Sequence, residues 1–269
     1  MSSEEKTYLL DICYNGSGSY GFQSQTDKNS IQDKLEKGLS VYFRKPIKLK
    51  GSSRTDSGVH ALGQKAVFNG AEIKDERKFL LGINALIPRD ISVKAIKKVP
   101  ASFNPIHEAK AKVYRYSLWR GRCYNPFLDP FVWQVVPQVD FDVVEQQLQF
   151  LCGKHDFTSF CSLDSTAKTK ERHIFEIKVV KHENSCDIWF LGKGFLKQMI
   201  RIIVGTVVQL SLGKLSSKTT KEILAYKDRQ KAGLTAPGKG LFLFEIFFQE
   251  PGSLDDYLAS LDKKAFLYH

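Results

Sequence analysis

Gly51-Ser52-Ser53-Arg54-Thr55-Asp56-Ser57-Gly58-Val59-His60-Ala61 is the stretch on which the reading of this chain turns. It follows residues 46–50, which begin as a strand, and precedes 64–69, whose alternating pattern predicts another. A basic, polar loop bracketed by glycines therefore joins two strands and carries one carboxylate, Asp56, between Thr55 and Ser57. An ordinary turn, with the Asp capping backbone amides, accounts for most Asp-Ser-Gly runs. The chemical reading is an activated carboxylate. Arg54 close by would lower its pKa and keep it ionised, and an ionised Asp serves as nucleophile or base without a cofactor.

Outward from this loop, residues 7–14 alternate apolar and polar positions as a strand does. A Gly- and Ser-rich loop follows, then a helix over 30–42 with Ile31, Leu35, Leu39 and Tyr42 on one face. Ser30 and Asp33 resemble the two ends of a capping box. A helix over 75–85 and a strand over 91–99 complete two strand–helix–strand passes, the order of an α+β sandwich with helices on one face. The second half repeats the theme, with strands over 111–119, 131–136, 174–181, 186–191 and 241–248 and helices over 142–151, 196–212 and 217–226. Pro100 and Pro105 interrupt the pattern near 102–110, so the expected domains are 1–105 and 106–269.

The 269 residues suffice for one large domain or two modest ones. A hydrophobic fraction of 42% and a charged fraction of 26% are ordinary for a soluble globular protein. No apolar run has the length of a membrane helix, and Met1 to Tyr14 lack the layout of a signal peptide, so a cytoplasmic protein is expected. The five cysteines are odd in number, far apart and without a C-x-x-C pair, and no two histidines stand three or four residues apart. That argues against a disulfide framework and against a metal site. Forty Lys and Arg against twenty-nine Asp and Glu give a net charge of +11, which points to a polyanionic partner, most often nucleic acid.

Gly16-x-Gly18-x-x-Gly21 matches a dinucleotide-binding fingerprint on paper. That motif must open a helix immediately, whereas residues 22–28 read as loop, and no acidic residue ends the next strand to hold a ribose. The glycines then permit a tight turn. Helix 196–212 is mostly apolar, yet Lys197, Arg201, Gly205 and Gln209 recur at four-residue steps. A narrow solvated stripe is the dull explanation. A helix this apolar should nevertheless be central, and a partly buried Arg on it needs a carboxylate.

Arg54-Thr55-Asp56-x-Gly58-Val59-His60-Ala61, followed by Gly63-Gln64, resembles the catalytic signature of the TruA family of tRNA pseudouridine synthases. Other landmarks of that family stand in the right order. They include Tyr14-x-Gly16 with Tyr20-Gly21-Phe22-Gln23, Lys112-Val113-Tyr114-Arg115-Tyr116, and Asp156-Phe157-x-Ser159-Phe160. Gly194-Phe195-Leu196-x-x-Met199-Ile200-Arg201-x-Ile203-x-Gly205 and Ala236-Pro237-x-x-Gly240-Leu241 extend the likeness over more than two hundred residues. Ser53 replaces the family's usual Gly, Ser57 its usual Ala, and Phe103-Asn104-Pro105-Ile106 a segment that normally carries an arginine.

The resemblance implies two related ferredoxin-like, RRM-like α+β sandwich domains with joined antiparallel sheets and an active-site cleft between them. It implies isomerisation of uridine to pseudouridine in the anticodon stem-loop of tRNA, at positions 38, 39 and 40. Asp56, Arg201 and Tyr114 are then the catalytic set: Asp56 the nucleophile or base, Arg201 its charge partner, and Tyr114 the ring that stacks on the base. Arg54, Tyr114, Gln64, His60 and Leu241 are expected against the substrate. The resemblance implies no metal or cofactor, no membrane, tRNA as partner, and a homodimer. On periodicity alone Tyr114 would be a half-buried packing residue. Three rivals compete with the whole assignment: the same chemistry on other tRNA positions, a non-catalytic RNA-binding module, and a cofactor-free aspartate hydrolase. The last lacks a second acidic motif.

Overall fold

In a computed structural model, residues 5–27 and 29–262 are described. They form two compact units. The first runs to Ala109 and takes back Leu241–Ile246; the second holds Lys110–Gly240 and the residues from Phe247 onward. The expected break at 105/106 therefore falls at 109/110, and the last strand lies mostly with the first unit instead of the second. No helix among the described residues is long and apolar enough to cross a membrane.

In the first unit, β1 (Lys6–Tyr14) pairs antiparallel with β3 (His60–Gly70) on one side and β4 (Ile91–Val99) on the other. β2 (Leu49–Gly51) pairs antiparallel with β3, and β10 (Leu241–Phe247) pairs parallel to it, with Phe242 opposite His60. Tyr8, Leu10, Ile12 and Tyr14 alternate inward from β1. They share a core with Ile31, Leu35 and Leu39 of α1 (Ile31–Phe43) and Phe79 and Ile83 of α2 (Glu76–Leu86). Phe68 joins sheet to helices, its ring 5.6 Å from Tyr8 and Phe43 and 6.3 Å from Phe79. Burying one such side chain contributes about 1.5–3 kcal/mol, so this cluster fixes the helices on the sheet.

The other side of the same strands carries charge. Lys65 of β3 reaches Asp11 of β1 at 3.0 Å and Glu245 of β10 at 2.9 Å, and Lys94 of β4 reaches Asp11 at 3.5 Å. Burial alone would depress the Lys65 amine, but the two carboxylates outweigh it and hold the amine above its ordinary value. The network ties four strands side by side.

In the second unit, β5 (Ala111–Trp119), β9 (Ser185–Gly192), β8 (Glu171–Lys181) and β7 (Gly153–Asp156) form an antiparallel run in that order. β6 is only Trp133–Gln134, parallel to β5, because Asp129–Phe131 form a 3-10 turn where a strand over 131–136 was expected. α3 (Phe141–Gln149), α4 (Met199–Ser211) and α5 (Thr220–Tyr226) complete this layer. α4 is buried on nearly all sides, with Ile202, Ile203, Val204 and Val207 fully enclosed. A short α6 (Leu254–Asp262) begins on Glu176, whose carboxylate accepts from the Leu254 amide at 2.8 Å. The mixed α+β reading holds for both units.

The capping box at α1 is present: Ser30 accepts from the Asp33 amide at 3.1 Å, and the Asp33 carboxylate accepts from the Ser30 amide at 3.3 Å. Partial burial opposes ionisation of Asp33, but bonds from the Ser24 and Ser30 hydroxyls and the Ser30 amide overcome it and lower the pKa below 3.8. A depressed carboxylate stabilises the fold above its unfolded pKa, and that contribution is lost as the pH falls through the folded value. Ser30→Ala should cost about 1 kcal/mol at neutral pH. The gap to the native protein should narrow once the pH drops below 3.8, as read by denaturant unfolding at pH 6 and pH 3.

Candidate active site

β2 feeds directly into the loop that carries Asp56, and β3 resumes at His60. Within the loop Ser52, Ser53, Thr55 and Val59 are buried, Asp56 is half-buried, and Arg54 and Ser57 are exposed. Gln64, fully buried on β3, grips the entry from both sides. Its Oε1 accepts from the Ser53 amide at 3.2 Å, and its Nε2 donates to the Ser53 carbonyl at 2.8 Å. The Ser52 amide donates to the Lys65 carbonyl at 2.8 Å, which continues the β2–β3 ladder one step further. The Tyr14 and Thr55 hydroxyls meet at 2.7 Å, and the Phe22 amide donates to the Thr55 carbonyl at 3.1 Å. The Val59 amide closes the turn on the Asp56 carbonyl at 3.2 Å, which needs the left-handed backbone of Gly58 at φ +76°.

The glycine-rich loop after β1 packs against this one. A Cβ on Gly16 would lie 2.0 Å from the Val59 carbonyl oxygen, and one on Gly21 would lie 2.6 Å from the Thr55 oxygen. Gly21 also has φ +87°. Gly18 meets nothing within 4 Å. Two of the three glycines in the dinucleotide-like pattern thus let two backbones touch, and bind no phosphate in that role. The Gly16 amide donates to His60 Nδ1 at 3.1 Å, so that nitrogen keeps its lone pair and the ring proton belongs on Nε2. The His60 ring stacks on Phe242 at 4.6 Å.

Tyr114 and Arg201 lie in the second unit. Tyr114 is 6% exposed on β5, with its ring edge-on to Phe195 at 5.2 Å. Arg201 occupies the first turn of α4, half-buried, and its Nε donates to the Ala236 carbonyl at 2.7 Å. Next to Tyr114 in strand alternation, Tyr116 donates to the Pro237 carbonyl at 2.8 Å. Burial pushes its phenol well above the ordinary range, and the nearby Arg201 charge opposes that shift.

The structure therefore groups Arg54, Asp56, His60, Gln64 and Leu241 in the first unit and Tyr114 and Arg201 in the second. Of the residues expected against substrate, Arg54 is exposed, whereas Gln64, His60 and Leu241 are buried. Gln64 holds the carboxylate loop in place, and His60 holds the Gly16 loop that packs against it. Sequence reasoning placed Tyr14, Gly16, Gly21 and Tyr116 among the family landmarks but gave none of them a supporting role. A strand ending in Tyr next to glycines carries no such message by itself. Among the described residues, no three His, Cys, Asp or Glu side chains come together as a metal site.

The carboxylate loop is thus delivered by β2, clasped by Gln64 and set on an α+β scaffold. The tRNA pseudouridine synthase family model matches residues 12–106 and 148–249, and the chain belongs to that family. It is 37% identical to tRNA pseudouridine synthase A of Geotalea uraniireducens (strain Rf4) over 239 residues, covering 89% of this chain and 98% of the relative. It is 36% identical to tRNA pseudouridine synthase A of Caldicellulosiruptor bescii over 244 residues, covering 90% and 100%. Likewise it is 35% identical to tRNA pseudouridine synthase A 1 of Protochlamydia amoebophila over 253 residues, covering 92% and 99%.

If Gln64 is the clasp, Gln64→Leu keeps its bulk but leaves the Ser53 amide and carbonyl without their partner. A buried group so orphaned costs about 1–3 kcal/mol. Amide exchange at Ser53 and Thr55 should accelerate more than at Leu10 or Ile12 of β1. Equal protection in variant and native protein would show that Gln64 does not hold the loop.

Proposed function

We propose that this chain isomerises uridine to pseudouridine in the anticodon stem-loop of tRNA, at positions 38, 39 and 40. The observation that carries the proposal is the half-buried Asp56 in a family signature whose backbone is pinned on both sides by Gln64, Tyr14 and the 16–22 loop. Such a loop holds a carboxylate in one place without committing it to the core. Preorganisation of this kind lowers the barrier by avoiding rearrangement during reaction.

The reaction breaks the glycosidic C–N bond, rotates the freed uracil, and rejoins it to the sugar through carbon. Asp56 acts as nucleophile or base, and Arg201, with Arg54, sustains its charge. Tyr114 offers a flat face to a uracil taken out of its stack. Gln64 and His60 position the loop. The enzyme would act in the cytoplasm as a homodimer on tRNA. Net charge of +11 and the basic run Arg44, Lys45, Lys48, Lys50 and Arg54 suit a polyanionic substrate.

Mapping pseudouridine in tRNA from cells with and without the protein tests the positions. Loss at 38, 39 and 40 is expected; loss elsewhere alone would move the target and keep the chemistry. Asp56→Asn should fold, abolish turnover, and bind tRNA at least as tightly as the native protein, because it removes one negative charge. Log affinity should fall linearly with log salt. Substantial activity in folded Asp56→Asn would remove Asp56 from the mechanism and favour a different catalytic group.

Arg201→Ala should lower the single-turnover rate on saturating tRNA by about a hundredfold or more, the scale of losing a charge that stabilises the reacting group. Arg201→Lys keeps the charge without the planar fork, so an intermediate rate is expected. A native rate in Arg201→Ala, with only tRNA affinity reduced, would make Arg201 a phosphate contact instead.

A further inference from the structure

Arg201, Gly205 and Gln209, at four-residue steps on α4, are overlain by a passing segment of chain. Residues 233–236 run along it without regular secondary structure. The Leu234 amide donates to Gln209 Oε1 at 2.8 Å, and the Gly233 amide donates to Thr206 Oγ1 at 2.9 Å. At Gly205 a Cβ would lie 1.9 Å from the Leu234 oxygen, so only glycine lets the strap lie this close. At the far end Arg201 and Ala236 are joined twice: the Arg201 Nε donates to the Ala236 carbonyl at 2.7 Å, and the Ala236 amide donates to the Arg201 carbonyl at 3.0 Å.

What fixes the strap from its other side is Arg229. It stands in the one-turn 3-10 segment Arg229–Lys231, which Asp228 caps through the Gln230 amide at 2.9 Å. Its Nη1 donates to the Gly233 carbonyl at 2.9 Å and to the Ala232 carbonyl at 3.5 Å, and its Nη2 donates to Thr235 Oγ1 at 3.2 Å. One planar guanidinium thus spans three of the four residues that lead to Ala236. Carbonyls in a segment outside any sheet have no ladder donors, so a side chain must supply them. Partial burial holds the Arg229 pKa below the usual arginine value, consistent with a fork turned inward onto the backbone.

We propose that Arg229 is a positioning residue for the reaction: it sets the strap whose Ala236 carbonyl aims the Arg201 guanidinium. The proposal rests on the reading of Arg201 as charge partner of the catalytic carboxylate. In this role Arg229 acts through the strap and Arg201 rather than on the substrate. Its loss leaves the charge of Arg201 intact but frees its direction, and a misplacement of about 1 Å can cost a hundredfold in rate.

The experiment is single-turnover pseudouridylation on saturating tRNA, with tRNA affinity measured in parallel, for Arg229→Ala, Arg229→Lys and Thr235→Val. Each is measured alone and in the Arg201→Lys background, where the side chain has no Nε–H to give the Ala236 carbonyl and only the backbone bond from the Ala236 amide remains. Arg229→Ala should lower the rate about ten- to a hundredfold with tRNA affinity nearly unchanged. Arg229→Lys should recover only part of that, since one ammonium cannot reproduce the fork. Thr235→Val, which removes a single acceptor and no charge, should fall in the same direction by a few-fold, and it carries the test should Arg229→Ala not fold. In the Arg201→Lys background the same changes should have little further effect. A native rate in all three variants overturns the proposal. So does a loss that persists undiminished in Arg201→Lys, or weakened tRNA binding with a native saturating rate. Arg201→Ala alone distinguishes the underlying reading: at a native rate that reading falls and takes the strap's role with it, whereas an impaired Arg201→Ala beside uncoupled Arg229 variants defeats the strap alone.

Discussion

The Gln64 carboxamide on the Ser53 backbone is the contact on which the Asp56 loop depends. Two hydrogen bonds from one fully buried side chain, at 3.2 and 2.8 Å, treat the loop as though it were another strand beside β3. Each such bond contributes only about 1 kcal/mol net. Removing both partners' satisfaction together is far more costly, because the Ser53 peptide is buried and water cannot replace the amide. The chain therefore leaves β2 in a direction it cannot easily abandon. Three residues later comes the half-buried Asp56, with the Tyr14–Thr55 contact before it, the Gly21 approach alongside and the Gly16 approach to Val59 after it. Order is imposed on the backbone around the carboxylate by neutral groups.

The same device recurs at Arg201 with the parts exchanged. There the guanidinium is anchored by a carbonyl, and that carbonyl belongs to a strap held by Thr206, Gln209 and Arg229. A charged group on an apolar helix must be satisfied or it destabilises the unit. Spending the Nε–H on Ala236 satisfies part of the guanidinium inside its own unit and fixes the plane of the remaining nitrogens. Tyr116 secures the next residue through the Pro237 carbonyl, so the strap is fixed beyond Ala236 as well as before it.

How legible this was in sequence varied with the physics of each element. β4 and β5 have the bounds that alternation predicted, 91–99 and 111–119, because each is long and half-buried. β7 and α6 were not predicted, since four residues with a polar majority and nine following Pro251-Gly252 give too short a period to count. The return of Leu241–Ile246 to the first unit was invisible, because an apolar strand reads the same whichever sheet receives it. At the site, the Asp56 loop stood out by composition and resemblance. The glycines before it did not, because a glycine demanded by a backbone oxygen 2.0 Å from its missing Cβ looks the same in sequence as one in a slack turn. The α4 stripe was seen and Arg201 was expected to be partly buried, but the strap was not foreseen: a row of Arg, Gly and Gln at four-residue steps fits water as well as it fits a strap.

The row could have been parsed further from its chemistry. A solvated stripe gains nothing from glycine, which costs about 1 kcal/mol in a helix interior relative to alanine. Gly205 at the centre of such a row, on a helix otherwise built of Ile and Val, therefore implies a backbone lying against it. A backbone lying there brings amides and carbonyls that need partners, and the row supplies an acceptor in Gln209 and a donor in Arg201 on either side of the glycine. Read in that order, the stripe is a docking groove with polar ends, and Arg201 is held by that groove before any substrate arrives. An arginine fixed by its Nε to the strap has less freedom to lose when a charge develops beside it. That is the physical reason to hold it with a carbonyl rather than leave it to water.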